Sequence, residues 1–505
     1  MVRPCRPCRL ARGERGATMT RALFRLELAM LLRARFTWII GALLFAALAW
    51  GAINGQANAD GQQATVERVK MHAAAKVLKQ QADVARYSRP ADTVLPYWQD
   101  PSDAAGYMRY GLSAYAVKPP SPLAGIAIGQ SRLLPFYIKT DLDYVAPPAA
   151  AFDFINPRIL SLGDFDLSFV LVYVLPLALI AIGASLLAAE RDSGALRLMA
   201  AQLPSFRQLV MLKFGVAAIV CVPFTLVATV LALLVAGTPC WSMQTAGTVL
   251  LLGAALAGLT LFWVALTALL ASRIGVVGSY LRLVSVWIGF TFFVPAAGAL
   301  IIDTAYPAPS PLLYLDDLRR ANDFTPANRD ALFAAFARAE PAYAAAAERV
   351  DKVSYATKQI AVQQAVERQI EERASAAAHQ NEAAAGRAAA LRWLSPAMVF
   401  DTLLQQAAGS GVERHKRFLK RTGEYTDELR AFFWPRALAE AANPANACQG
   451  CAARLNFTDH DKIPRFQADR PLDGVAASIG GAVGYLWVLA CAVMLMLWSG
   501  RRFRL

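Results

Sequence analysis

Residue types able to carry chemistry are few in this chain, and they are scattered. Four histidines, His72, His379, His415 and His460, have no second His or Cys at ligand spacing. A zinc site gathers four N or S ligands, so the expectation is no metal centre. His460, between Asp459 and Asp461, reads as a solvated turn. Cys5-x-x-Cys8 stands without a second pair or nearby histidines and is weak as a metal motif. Cys448-x-x-Cys451, in NPANACQGCAAR, would form a small disulfide in an oxidising compartment, with free thiols as the alternative. Cys221 and Cys491 fall in apolar runs and read as packing residues. There is no GxSxG elbow, no HExxH helix and no GxxxxGK[ST] phosphate loop, so no catalytic residue is expected and ATP hydrolysis would have to occur elsewhere.

One charged cluster has a more informative setting. The apolar run from Phe169 to Ala189 is stopped abruptly by Glu190, Arg191 and Asp192, because an ionised side chain at a bilayer centre costs at least ~2.5 kcal/mol. Asp192 or Ser193 can cap a short helix after Gly194. In it Leu196, Met199, Ala200 and Leu203 share one face of a 3.6-residue period, leaving Arg191, Arg197 and Gln202 for water. Pro204 ends that helix and Ser205 can cap the next, which carries Lys213 into another apolar run. Periodicity alone fits either an interfacial helix between two spans or an ordinary polar turn.

The elements that hold this cluster follow from hydropathy. The 505 residues are 56% hydrophobic and 17% charged, with a mean hydropathy of +0.36: too apolar for an ordinary soluble protein, too charged for spans alone. The reading is an all-α polytopic membrane protein with six transmembrane helices and two large, mainly helical extracytoplasmic insertions. Spans are expected at 36–54, 168–189, 214–236, 248–271, 283–302 and 479–499. They leave a basic terminus at 1–35, insertions at 55–165 and 303–478, the hairpin at 190–213 and a tail at 500–505. A net charge of +14 invites a nucleic-acid reading. Much of the excess lies beside apolar runs, however, where Lys and Arg set topology, so no nucleic-acid partner is expected.

Residues 1–35 hold nine arginines against Glu14 and Glu27, and Met19 opens a phrase that would serve as a natural amino terminus. Positive-inside logic places both termini in the cytoplasm, as it does the turn carrying Arg273 and Arg282. In the first insertion Val66, Val69, Ala73 and Val77 continue a helix outward; an irregular Tyr/Pro-rich section follows. In the second, Thr325-Pro326 opens a helix with Leu332, Phe333 and Phe336 on one side. The proline-free stretch after Pro341 reads as one long helix or an antiparallel pair, striped by Val362, Val366 and Ile370.

Glu190, Arg191, Gly194, Leu196, Pro204, Ser205 and Lys213 together resemble the hairpin between the second and third spans of ABC-2-type permeases. The phrases PSPLAGIAIGQS with LPFYIKT, and LRWLSPAMVFDTLLQQ, resemble the outer segments of a subfamily with two large insertions. The resemblance implies that this is the permease subunit of an exporter in a bacterial inner membrane. It implies a separate ATPase subunit that holds ATP and Mg, the permease itself carrying no cofactor, and a second permease subunit, identical or related. In such a complex the hairpin docks on the ATPase. Arg191 and Arg197 would meet acidic groups there, and Leu196 and Met199 would seat the helix. The contrasting reading is a membrane sensor or scaffold whose outer domains bind a ligand or partner. Centres of the spans carry almost no ionisable residues, which argues against ion-coupled transport.

Overall fold

The computed structural model describes residues 21–87, 98–100, 103–142, 164–192, 194, 206–239, 242–271, 276–307, 316, 319–320, 328–442, 457–470 and 475–499. Six helices are long and apolar enough to cross a membrane: Arg35–Asp83, Leu167–Ala184, Gln208–Val235, Met243–Leu270, Val276–Ala305 and Ile479–Trp498. The chain is an all-α polytopic membrane protein, as its hydropathy required.

A short helix α1 (21–33) precedes α2 (Arg35–Tyr87), which contains the first span. At 1.5 Å per residue α2 is about 80 Å long, far more than the roughly 30 Å of a hydrocarbon core. Its outer part is ordered by a buried stripe: Ala59 and Val66 are buried, and Val69, Ala73 and Val77 half-buried. The second span, α3, begins at Leu167–Phe169, passes through a π-helical turn Val170–Val174 and continues as Leu175–Asp192. The next spans are α4 (Phe206–Val235) and α5 (Met243–Ala271). The fifth, α6, comprises Val276–Ile288, a π-turn Gly289–Phe293 and Val294–Ala305.

In the second insertion come α7 (Arg329–Ala339), α8 (Tyr355–Leu391), α9 (Pro396–Ala408) and α10 (Val412–Ala442). The last span is α11 (Val475–Ser499). The proline-free stretch contains one long helix, α8, preceded by the 3-10 turns Pro341–Glu348 and Val350–Lys352, and its first turn is capped by the Ser354 hydroxyl accepting from Thr357 N–H at 3.2 Å. Val362, Val366 and Ile370 are buried on it against Leu332. The Thr325-Pro326 start lies outside the described residues.

Spans α3 and α5 form the centre of the bundle, with Ile180, Trp263 and Ala268 fully enclosed. The other spans turn apolar faces outward, Leu43 on α2, Leu300 on α6 and Val488 on α11 among them. Such a belt would be an aggregation surface in water and is normal against lipid. Cys221 packs inside, whereas Cys491 lies on the exposed face rather than in the packing.

Helix α9 seals one end of the bundle. Leu403, Leu404 and Phe400 join the same apolar core as Leu167, Leu171 and Leu252, and the helix engages both π-turned spans. Ser395 donates to the Phe290 carbonyl at 2.6 Å; Ser168 donates to Asp401 at 2.8 Å. The first of these contacts satisfies a carbonyl inside the π-turn of α6, where the regular helical ladder is interrupted. Asp166 caps α3 by accepting from Phe169 N–H at 2.7 Å, and takes Ile128 N–H at 2.8 Å. Burial nevertheless pushes its carboxyl up to about 6.

The two insertions share a second core. Tyr107 and Met108 from the first meet Phe333, Ile360, Leu429 and Phe433 from the second. The section read as irregular contains an antiparallel hairpin, β1 (Ala114–Val117) with β2 (Tyr137–Thr140). Its Ala116 and Ile138 pack on Phe418 of α10. His460 is not a solvated turn: it is 4% exposed and stands edge-on to the Tyr107 ring at 4.8 Å. Flanking aspartates made it look wet, but the short helix Phe457–Asp461 turns the imidazole inward.

Close backbone approach ties α2 to the first insertion. A Cβ on Gly55 would sit 2.1 Å from the Gly125 carbonyl oxygen, while one on Gly61 would meet nothing within 4 Å. Gly55→Ala is therefore expected to cost about 1–3 kcal/mol through backbone displacement, and Gly61→Ala to be neutral or stabilising by up to ~1 kcal/mol. Thermal unfolding of both variants in detergent checks this; equal midpoints would contradict the packing.

Candidate functional site

The hairpin cluster is built on the end of α3, the first turns of α4 and the middle of α1. Helix α3 runs on to Asp192 and α4 starts at Phe206, so Glu190 and Lys213 face each other across the base of the hairpin. Helix α1 supplies the third member. Its half-buried and buried positions, Leu23, Phe24, Glu27, Leu28 and Leu31, recur at helical spacing, while Arg21, Arg25 and Arg33 are exposed. The face of α1 that packs on the bundle is thus apolar except for one carboxylate.

That carboxylate meets Lys213. Lys213 Nζ lies 2.6 Å from Glu27 Oε1 and 2.6 Å from Glu190 Oε1. The lysine side chain is 1% exposed and the glutamates 5% and 20%. Burial pushes the Glu190 carboxyl up, the hydrogen bond and charge of Lys213 pull it down, and Glu27 pushes it up again. Nearby, Asp192 Oδ2 accepts from Val276 N–H at 3.3 Å, fixing the end of α3 to the start of α6, and a carboxylate suits that helix N-terminus. Tyr280 also donates to the Ala181 carbonyl at 2.9 Å. Helix α1 is itself held at its end by Trp38 Nε1 donating to the Leu32 carbonyl at 2.6 Å.

The outcome for the residues singled out by sequence is mixed. Glu190 and Lys213 are brought together. Gly194 has φ +77°, a left-handed backbone that glycine alone adopts without strain. Arg191 lies in the last turn of α3, its side chain outside the described residues, as are Leu196, Arg197, Met199, Pro204 and Ser205. The short amphipathic helix therefore lies outside the described residues too, as do Cys448 and Cys451. Glu27 was missed. It carried a signal all the same, being an acid on an otherwise apolar helical stripe, which demands a partner. Among the described residues, no three His, Cys, Asp or Glu gather as a metal ion would require.

An uncompensated charge at this depth is costly. Lys213→Met strands two carboxylates and is expected to destabilise the protein by about 3–5 kcal/mol. Adding Glu27→Gln and Glu190→Gln to it should restore most of the loss. The unfolding midpoints of the single and triple variants decide this; an unchanged midpoint for Lys213→Met would refute the buried trio.

Against known families, residues 21–433 match the one described as ABC-2 family transporter protein. No curated protein and no solved structure matches the chain.

Proposed function

Because the chain belongs to the ABC-2 family of transporter proteins and is thus a membrane permease of ABC-type transport, we propose that it is the permease subunit of an exporter driven through its 190–213 hairpin by a separate ATPase subunit. The observation that carries this reading is the Glu27–Lys213–Glu190 trio at the root of that hairpin. A loop that only connects two spans needs no buried ionic anchor. A loop that receives force does, since a push on it must move α1, α3 and α4 together instead of bending their ends.

In this reading ATP and Mg sit on the ATPase, and the permease contributes shape and leverage. Arg191 and Arg197 would meet acidic groups of the ATPase, with Leu196 and Met199 seated in its groove and Pro204 closing the helix. A second permease subunit, identical or related, completes the pathway. The membrane is the bacterial inner membrane, with the hairpin, the basic 1–35 segment, Arg273, Arg282 and the 500–505 tail on the cytoplasmic side. The insertions then project outward.

Gly194 tests this without touching the ion trio. Proline there cannot take φ +77°, so Gly194→Pro is expected to keep the unfolding midpoint and to lose about tenfold in co-purification of the cognate ATPase and in permease-stimulated ATP hydrolysis. Full binding together with full stimulation in the variant would sink the coupling role.

A further inference from the structure

Two of the outer phrases meet beside α2 and leave a basic pocket. It is lined by Lys118 and Ser121 from the first insertion, by Ser410 and Arg414 after α9, and by Asn58 and Gln62 of α2. Arg414 is anchored: it donates to Asp469 through Nε at 3.1 Å and to the Pro119 carbonyl at 2.8 Å. Lys118 is not. It is 7% exposed, and among the described residues no carboxylate lies within ion-pair distance of it; its ammonium rests over the Phe418 ring at 5.6 Å. The Ser410 hydroxyl is buried with no hydrogen-bond partner. His415, also buried, adds no charge, since burial and then Lys118 push its pKa down to about 4. Burial and then the charge of Arg414 likewise lower the Lys118 pKa to about 8, against the opposing pull of the more distant Asp469 carboxylate. A buried cation with no ion-pair partner among the described residues and a buried hydroxyl with no hydrogen-bond partner line the same pocket, and an acidic oxygen would satisfy both.

The space beside the pocket defines the rest of the ligand. The pocket encloses only about 20 Å³, room for about one water-sized group. It opens into a groove of about 450 Å³ that shares Asn58, Gln62, Ser131 and Phe136 with it. The groove is walled by Ala57, Leu133, Leu134 and Pro135, so it suits a hydrocarbon chain. Ala57 lies only about 6 Å along α2 beyond Ile53, the end of the first apolar run. A bilayer boundary at the end of that run would place the groove at headgroup depth.

We propose that this site binds an anionic amphiphile, a phosphate or carboxylate head placing one acidic oxygen against Lys118, Arg414 and the Ser410 hydroxyl while its acyl chain lies in the 131–136 groove. A bilayer lipid and a free alkyl acid share this chemistry. The site is independent of the hairpin, and stands or falls without the ATPase.

The test is calorimetric titration of n-decyl phosphate into the full chain in zwitterionic phosphatidylcholine nanodiscs, with empty nanodiscs subtracted. Expected are one saturable site, no site for inorganic phosphate or decyltrimethylammonium, and binding at least about tenfold weaker in Lys118→Met and in Leu133→Asp. Leu133 is exposed, so its variant carries the comparison if Lys118→Met fails to fold. Identical isotherms in wild type and Leu133→Asp, or inorganic phosphate binding as well as decyl phosphate, would overturn the proposal. Replacing the host lipid by phosphatidylglycerol distinguishes the sources: weakened decyl phosphate binding identifies the bilayer lipid as occupant, unchanged binding a free alkyl acid.

Discussion

Lys213, held between Glu27 and Glu190 where water is nearly excluded, is the interaction on which the rest of the bundle's hairpin end depends. Such an arrangement contributes little net stability, because desolvating three charged groups offsets most of their attraction. What it contributes is geometry: one ammonium ties α1, α3 and α4 together at 2.6 Å from each carboxylate. An apolar contact between the same helices could slide by a turn at small cost. A buried ammonium with two carboxylates cannot.

The opposite end of the bundle is organised by a different constraint. There α3 and α6 each contain a π-turn, and α9 packs against both, its Ser395 donating to the Phe290 carbonyl and its Asp401 accepting from Ser168. The segment is amphipathic in an unusual sense. Its apolar face belongs to the transmembrane core, while Asp401 accepts from Ser168 and Gln405 with its carboxyl pushed up by burial. One end of the bundle is thus clamped by charge, the other by an inserted helix.

Much of this architecture was legible because it is local. Apolar runs near 20 residues long require spans, and the stripe of Val66, Val69, Ala73 and Val77 required α2 to continue beyond its span. Glu190 and Lys213 were readable as hairpin residues since each stops or opens such a run. Features set by distant partners were not readable. Glu27 is 186 residues from the lysine it meets, and periodicity shows that it faces inward without showing what it faces. His460 looked hydrated because its neighbours are aspartates, yet its environment is Tyr107. The β1–β2 hairpin lies in a stretch crowded with prolines and glycines, whose turn signals hide two four-residue strands stabilised mainly by Phe418 far along the chain.

The core shared by the two insertions bears on how the protein is made. Tyr107 stacks on Phe433 and the β-hairpin rests on α10, so these parts of the first insertion cannot complete their burial until the second has been synthesised. Those partners emerge roughly 300 residues later, about 15–60 s at ordinary translation rates. Four spans must enter the bilayer in the interval. During that time the 104–140 segment is an unfinished half-core beside the membrane, open to aggregation or to a holding chaperone. The two insertions thus share one core although four spans separate them in sequence.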